Sequence, residues 1–445
     1  MSCGILFCLK FKGKKLRVGF VMKDGFENTN RSNNKKLLAG LILFVILVFM
    51  FVCWIYYVWN KVPASIYLRA GNAEEFDFSV PATANIDRST VDLGRPVTLY
   101  TDEMEDYTMQ VKLFGVIDFK KTQVKVIEDV KLYPIGLPVG IYVKTDGILV
   151  LQSGEFIGED GTTKYPAKEL EKGDYILSVN GTEVQSKIGL MSMVEECEGE
   201  PLEMLINRNG QEITLSISPE RNEDGEYKLG IWIRDNAQGV GTMTYMDEKC
   251  NFGALGHGIN DIDTCELMNM EYGRLYDTEI IAIKKGEEGE PGEITGFIAY
   301  EKERQVGEIY VNSACGIYGS VTDNFCSRED VQEIISDESN LLPVGLKQDI
   351  KLGNAQVYCA IESEPKYYDI LITEIYRKSE GTGRSMKIEV VDPELLEKTG
   401  GIIQGLSGSP IIQDGKLIGA VTHVLVNDPS RGYGIFIESM LNNGN

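Results

Sequence analysis

The sequence predicts a mainly β protein, built as several folded units behind one membrane-spanning helix. Length and composition carry the first part: 445 residues with 43% hydrophobic side chains exceed one ordinary domain and are too apolar for a disordered chain. The 47 glycines stand well above the usual ~7% of residues, and with 21 tyrosines and abundant Val and Ile they favour strands joined by tight turns. The helix is carried by Leu37 to Trp59, a run of 23 residues without a formal charge. A net charge of −23 repels a phosphate backbone, and no local basic patch in the body offsets it, so nucleic acid is set aside as a partner.

At ~1.5 Å per residue the apolar run reaches about 34 Å, enough for a ~30 Å hydrocarbon layer. Trp54, Tyr56, Tyr57 and Trp59 gather at its C-terminal end, where amphipathic rings favour the headgroup zone. Residues 1–36 form a basic tail with nine Lys or Arg against two acids, which leaves the remainder strongly acidic. The positive-inside rule then keeps the tail cytoplasmic and sends the body across. The run, at 37–59, is longer than the ~7–15-residue core of a cleavable leader, which favours a retained anchor. Six of the nine cysteines fall in the exported part without a CxxC pair, so no metal or redox motif follows. A body this large needs no disulfides, and scattered buried thiols are expected.

Residues 60–125 read as a polar, extended tether leading to an N-terminal β region. Between 126 and 222 the chain shows a Gly-containing turn into a strand at Pro138–Val143, a strand at Gly147–Leu151 and a short helix at Pro166–Leu170. A strand ending in the Asn180-Gly181 turn, a helix at Lys187–Glu196 and a hairpin through Arg208-Asn209-Gly210 follow. The stretch L-x-x-G-D-x-I-L-x-V-N-G, Leu170 to Gly181, resembles a PDZ domain. That resemblance implies a peptide added as a strand, with Val139, Gly140 and Ile141 as the loop whose N–H groups hold a carboxylate.

The candidate chemistry lies in residues 223–445. The chain has two histidines, His257 and His423. His257 sits in F-G-A-L-G-H-G-I (Phe252–Ile259), between glycines that permit close backbone approach. Ser407 sits in G-L-S-G-S-P (Gly405–Pro410), a tight turn between apolar runs, and Asp414-Gly415 signals a hairpin next. An α/β-hydrolase elbow needs G-x-S-x-G followed by a helix, and neither condition holds. The pattern is similar instead to the nucleophile loop of trypsin-like serine peptidases. This implies a double β-barrel, Ser407 as nucleophile, and the N–H groups of Gly405 and Ser407 as the oxyanion hole. Leu406 stands where the trypsins carry an aspartate used on activation, so that switch is absent.

Three longer motifs resemble the stage IV sporulation protein B peptidase family. They are F-G-A-L-G-H-G-I, the stretch D-P-E-L-L-x-K-T-G-G-I-x-Q-G-L-S-G-S-P from Asp392 to Pro410, and Gly432–Ile437. The resemblance implies a membrane-anchored endopeptidase in the space between forespore and mother cell. Such an enzyme cuts the regulatory subunit of an intramembrane protease, so that a late sigma factor is activated, and processes itself near its N-terminal end. It also implies Asp392 as the carboxylate that holds His257. Asp392-Pro393 is equally a helix start, with Asp as N-cap and Pro in the first turn, and Asp261 and Asp263 are the alternatives. Thr422 and His423 fall on the strand expected to wall the substrate cleft. Serine, histidine and backbone donors suffice for acyl transfer, so no cofactor or metal is expected. The competing reading is a catalytically silent PDZ-type receptor on a degenerate peptidase fold.

Overall fold

The computed structural model describes residues 6–11, 14–19, 31–86, 89–362, 364–377 and 383–443, with side chains from residue 38 onward. The chain divides into two units, one made of residues up to 125 apart from two short stretches, the other dominated by residues 126–445.

In the first unit, helix α1 spans Arg31–Lys61, and its segment Leu38–Lys61 is apolar enough to cross a membrane, with none of its most apolar window buried. Its last turn meets the following sheet through Trp59, edge-on to Phe119 at 5.3 Å and under the Lys120 ammonium at 4.9 Å. The expected extended tether from Lys61 to about Arg95 is instead folded. Strands Ala82–Ile86, Ser89–Asp92, Tyr107–Leu113 and Ile117–Ile127 pair antiparallel, and Phe76, Phe78, Val80, Ala84 and Met109 are buried. Between Lys61 and Arg95 the strands Ser65–Arg69, Glu74–Phe76, Ala82–Ile86 and Ser89–Asp92 are three to five residues long, too short for a period-2 pattern to stand out in the sequence.

Two closed barrels and a smaller module make up the second unit. The first barrel uses β1 (Pro138–Ser153), β5 (Ile231–Met246), β6 (Asn251–Ala254), β7 (Met270–Tyr276), β8 (Gln305–Ser313) and β9 (Gly316–Val321). Each strand pairs antiparallel with the next in the ring β1-β7-β8-β9-β6-β5, and the pairing of β5 with β1 closes it. Val139, Ile141, Val143, Met243, Phe252, Leu275 and Ile317 fill its interior.

Between β1 and β5 the chain forms the module. It contains β2 (Tyr175–Val179), α2 (Lys187–Glu196), β3 (Leu202–Arg208) and β4 (Gln211–Ile217). Asn180 and Gly181 have φ of 50° and 75°, as the Asn-Gly turn after β2 requires. The stretch Pro166–Leu170, expected as a short helix, is a turn. The sheet order is β4-β3-β2-β1-β5, so the C-terminal half of β1 and the N-terminal half of β5 belong to the module while their other halves wall the barrel.

This sharing overturns the expected peptide loop. Val139, Gly140 and Ile141 pair with Gly241, Val240 and Gly239 on one edge, and Gly140 and Ile141 pair with Tyr276 and Leu275 on the other. The Val139 and Ile141 side chains are buried in the barrel core. A strand with both edges occupied and its apolar residues facing inward has no free N–H row for a carboxylate.

The second barrel closes in the order β10-β11-β12-β15-β14-β13. Its strands are β10 (Gly353–Ala360), β11 (Pro365–Ile375), β12 (Met386–Val390), β13 (Pro410–Gln413), β14 (Lys416–Leu425) and β15 (Asp428–Phe436). Val357, Ile370, Ile388, Ile411, Val421 and Phe436 lie in its core. The short helix Pro393–Thr399 links β12 to the turn that carries Ser407.

Candidate active site

His257 follows β6, the third strand of the first barrel, after a reversal in which Leu255 and Gly256 both have positive φ, 69° and 68°. A Cβ on Gly256 would lie 3.0 Å from Ile435 and Thr422 side-chain carbons, so glycine lets this turn press against the second barrel. Ser407 comes from the other side. Gly408, at φ 99°, has no room for a Cβ, which would fall 2.0 Å from the Thr242 carbonyl oxygen and 2.6 Å from the Leu255 nitrogen. Thr242 fixes the turn further: its N–H donates to Ser407 O at 2.9 Å and its hydroxyl donates to Gly405 O at 2.8 Å. The two barrels thereby hold the histidine turn and the serine turn against each other.

One cavity of about 270 Å³ collects His257, Gly258, Gly405 and Ser407, with Ile141, Gly239, Val240 and Gln404 among its walls. Among the described residues the N–H groups of Gly405 and Ser407 have no hydrogen-bond acceptor, whereas Gly408 N–H is taken by Val421 O at 2.8 Å. Two unengaged donors beside a serine hydroxyl are what an oxyanion requires. The Ser407 hydroxyl itself donates to Thr422 O at 2.8 Å.

The His257 ring has its Nδ1 2.8 Å from Gly258 O. A carbonyl can only accept, so Nδ1 carries the proton and Nε2 has the free lone pair that a general base needs. Burial lowers the His257 pKa, partly opposed by this bond, which keeps the ring neutral near pH 7. His423 lies beside it with ring centroids 5.4 Å apart, and its buried Nδ1 has no partner among the described residues. Its pKa is pushed down to about 4, first by burial, then by His257 and Arg384.

Asp392 is not brought to either imidazole. It is the N-cap of the Pro393–Thr399 helix, accepting from Glu394 N at 2.9 Å and Leu395 N at 3.1 Å, while its other oxygen accepts from Asp369 N at 3.3 Å. Each oxygen is occupied by backbone donors, so the capping reading of Asp392-Pro393 describes this geometry and the triad reading does not. Asp261 and Asp263 are also engaged elsewhere, both by the Arg234 guanidinium. Thr422 is buried, with its hydroxyl donating to Gly383 O at 2.6 Å, and neither Thr422 nor His423 lines the cavity. The role expected of a carboxylate, holding one tautomer, falls to the Gly258 carbonyl.

Thr242 was not singled out from sequence, although the stretch Gly239-Val240-Gly241-Thr242 is unusually small for a strand. A Cβ on Gly241 would lie 2.1 Å from the tip of the Leu255 side chain, which would have to move to admit it. Leu229-Gly230-Ile231 is the second omission. This hydrophobic-Gly-hydrophobic turn opens β5, and Gly230 has φ 70°. Residues 231–234 pair with β1 on one edge and have no strand partner on the other among the described residues, with the N-terminus of α2 tied alongside by Lys187 N–H to Asp235.

Residues 225–441 match the family described as SpoIVB peptidase S55. The match places a serine peptidase domain in the C-terminal half, over the first barrel's later strands and the whole second barrel. The chain is also 30% identical over 154 residues to the pro-apoptotic serine protease NMA111 of Yarrowia lipolytica, covering 28% of this chain and 15% of that protein. It thus spans a small part of that curated relative's length. Among solved structures, the PDZ domain of the SdrC-like protein from Listeria monocytogenes covers 20% of this chain and 90% of its own, with 19% identity and a TM-score of 0.17. The active form of the Rv3671c protease from M. tuberculosis covers 47% and 75%, with 12% identity and a TM-score of 0.26.

Proposed function

We propose that this chain is a membrane-anchored serine endopeptidase in which Ser407 is the nucleophile and His257 the general base. The observation that carries it is the common cavity of Ser407, His257 and the two unengaged N–H groups of Gly405 and Ser407, within the residues that match a peptidase family. In the reaction, the Ser407 hydroxyl turns from Thr422 O to a substrate carbonyl, His257 Nε2 takes its proton, and the two N–H groups receive the oxyanion. His257 then returns the proton to the leaving amine, and water repeats the cycle on the acyl-enzyme.

The anchor would keep this body beside membrane-embedded substrates, with the basic tail in the cytoplasm. The resemblance to sporulation peptidases supports a regulatory subunit of an intramembrane protease as substrate, the forespore intermembrane space as the place, and self-processing near the anchor. The open edge at Ile231–Arg234 supports peptide capture by strand addition.

Two observations favour the silent receptor: the Ser407 hydroxyl is hydrogen-bonded to Thr422 O, and no carboxylate holds either imidazole among the described residues. A fluorophosphonate probe separates the two readings. Covalent labelling of the wild type but not of Ser407→Ala supports the enzyme, and absence of Ser407-dependent labelling in folded protein supports the receptor.

A further inference from the structure

We propose that Cys250 and Cys326 are a disulfide pair that fastens the short helix Asp323–Cys326 to the turn leading into β6. Their sulfurs lie 3.4 Å apart, and both residues are half-buried. The backbones at each end are already anchored to one segment: Cys250 O accepts from Val321 N at 2.9 Å, and Cys326 N donates to Thr322 O at 3.2 Å. Closing to the ~2.05 Å of a disulfide therefore asks for side-chain rotation and little backbone movement. Cys250 occupies a turn position with φ 65°, where a residue with a side chain is disfavoured and glycine would be comfortable.

No other pair among the described cysteines comes together in this way. Cys197 and Cys265 direct their thiols to the carbonyls of Val194 and Ile262 in their own local turns. All the described cysteines are free thiols, as the sequence leads one to expect, but the approach of these two could not be read there, because they are 76 positions apart and meet only through the pairing of β6 with β9.

The chemistry balances with a disulfide oxidant, either a low-molecular-weight disulfide or an oxidoreductase. One cysteine thiolate attacks the oxidant's S–S bond, forming a mixed disulfide and releasing one thiol. The second cysteine thiolate then attacks the protein-side sulfur and releases the other. Two cysteine thiols are oxidised, and one oxidant disulfide is reduced to two thiols. Burial, and after it the Cys250 sulfur alongside, push the Cys326 thiol up to about 12, and whichever thiolate attacks first the other resolves the mixed disulfide.

The test uses the full chain in detergent and does not depend on peptidase activity. Protein equilibrated with oxidised glutathione is blocked with iodoacetamide, digested without reductant and mapped by mass spectrometry. The expected result is a peptide linking Cys250 to Cys326, together with a melting temperature roughly 5–10 °C above that of the reduced form. Cys250→Ser and Cys326→Ser should each leave the remaining partner alkylated and abolish the redox-dependent shift. Alkylation of both Cys250 and Cys326 in the oxidised wild type, or linkage of either to another cysteine, overturns the pairing.

Discussion

His257 and His423 face each other across the junction of the two barrels with ring centroids 5.4 Å apart, and the structure keeps both neutral. The consequence is a pH dependence of stability. The pKa of His423 is depressed to about 4 in the folded state against ~6.5 unfolded. Between these values the unfolded chain binds a proton that the folded chain refuses, so stability falls as pH drops from about 6.5 toward 4 and is flat above. His257 adds in the same direction. Urea unfolding midpoints measured from pH 7.5 to 5 should show this decline, and His423→Gln should make it shallower. An unchanged slope in the variant would remove His423 from the account.

Ser407→Ala and His257→Ala should each abolish Ser407-dependent turnover while leaving the melting temperature within a few degrees of wild type. Proton transfer and attack are one event, so the double variant should be no slower than either single one. Turnover measured on a cleavable peptide checks this, and additive losses would assign the two residues separate roles.

Asp392→Asn should keep activity within a few-fold, because Asn caps a helix nearly as well as Asp. Asp392→Ala should cost about 1 kcal/mol of stability through the orphaned N–H groups of Glu394 and Leu395. A fall of several orders of magnitude in turnover for Asp392→Asn, with unchanged stability, would show that the carboxylate reaches His257 during the reaction.

Peptide capture should depend on Gly230 and leave Gly140 out of the groove. A bulky side chain at Gly140 meets Ile298, with even a Cβ at 2.5 Å, so Gly140→Trp should lower the melting temperature of the body. Gly230→Trp should weaken binding of an extended peptide at least tenfold. Because a Cβ at Gly230 also meets Gly154 O at 2.6 Å, Ile188→Asp on the exposed side of α2 supplies a variant that leaves the backbone alone. Fluorescence polarisation with undiminished affinity in both Gly230→Trp and Ile188→Asp would rule the edge out.

What the sequence disclosed and what it withheld divide along physical lines. Asn180-Gly181, Asp414-Gly415 and the Lys187–Glu196 helix could be placed because local turn and helix chemistry decide them. The glycines around His257 and Ser407 announced two tight turns, and the structure brings those turns together. Which hydrophobic-Gly-hydrophobic stretch has a free edge could not be read, since Val139–Ile141 and Leu229–Ile231 look alike until their neighbours are known. The same holds for Asp392, whose capping and catalytic readings use the same carboxylate and differ only in what lies within reach.

Wild-type protein should appear in cells as shorter forms beginning within residues 61–115, while Ser407→Ala stays full length and membrane-bound. The folded strands in this interval narrow the accessible sites, and the irregular stretch 101–106 with its exposed side chains is the most open. N-terminal sequencing of both proteins from the same host reads the outcome. Identical shortened forms with and without the serine would assign the cut to host proteases.

The two 16-residue strands Pro138–Ser153 and Ile231–Met246 each run from the module into the first barrel, with a register shift in their pairing between Lys144 and Leu149. Each of these strands belongs to both bodies, so residues 126–445 should melt in one cooperative transition. Strain applied where a peptide adds at Ile231 travels along a continuous backbone to Thr242, which grips the serine turn, so a captured peptide would act on the nucleophile as tension along a rod.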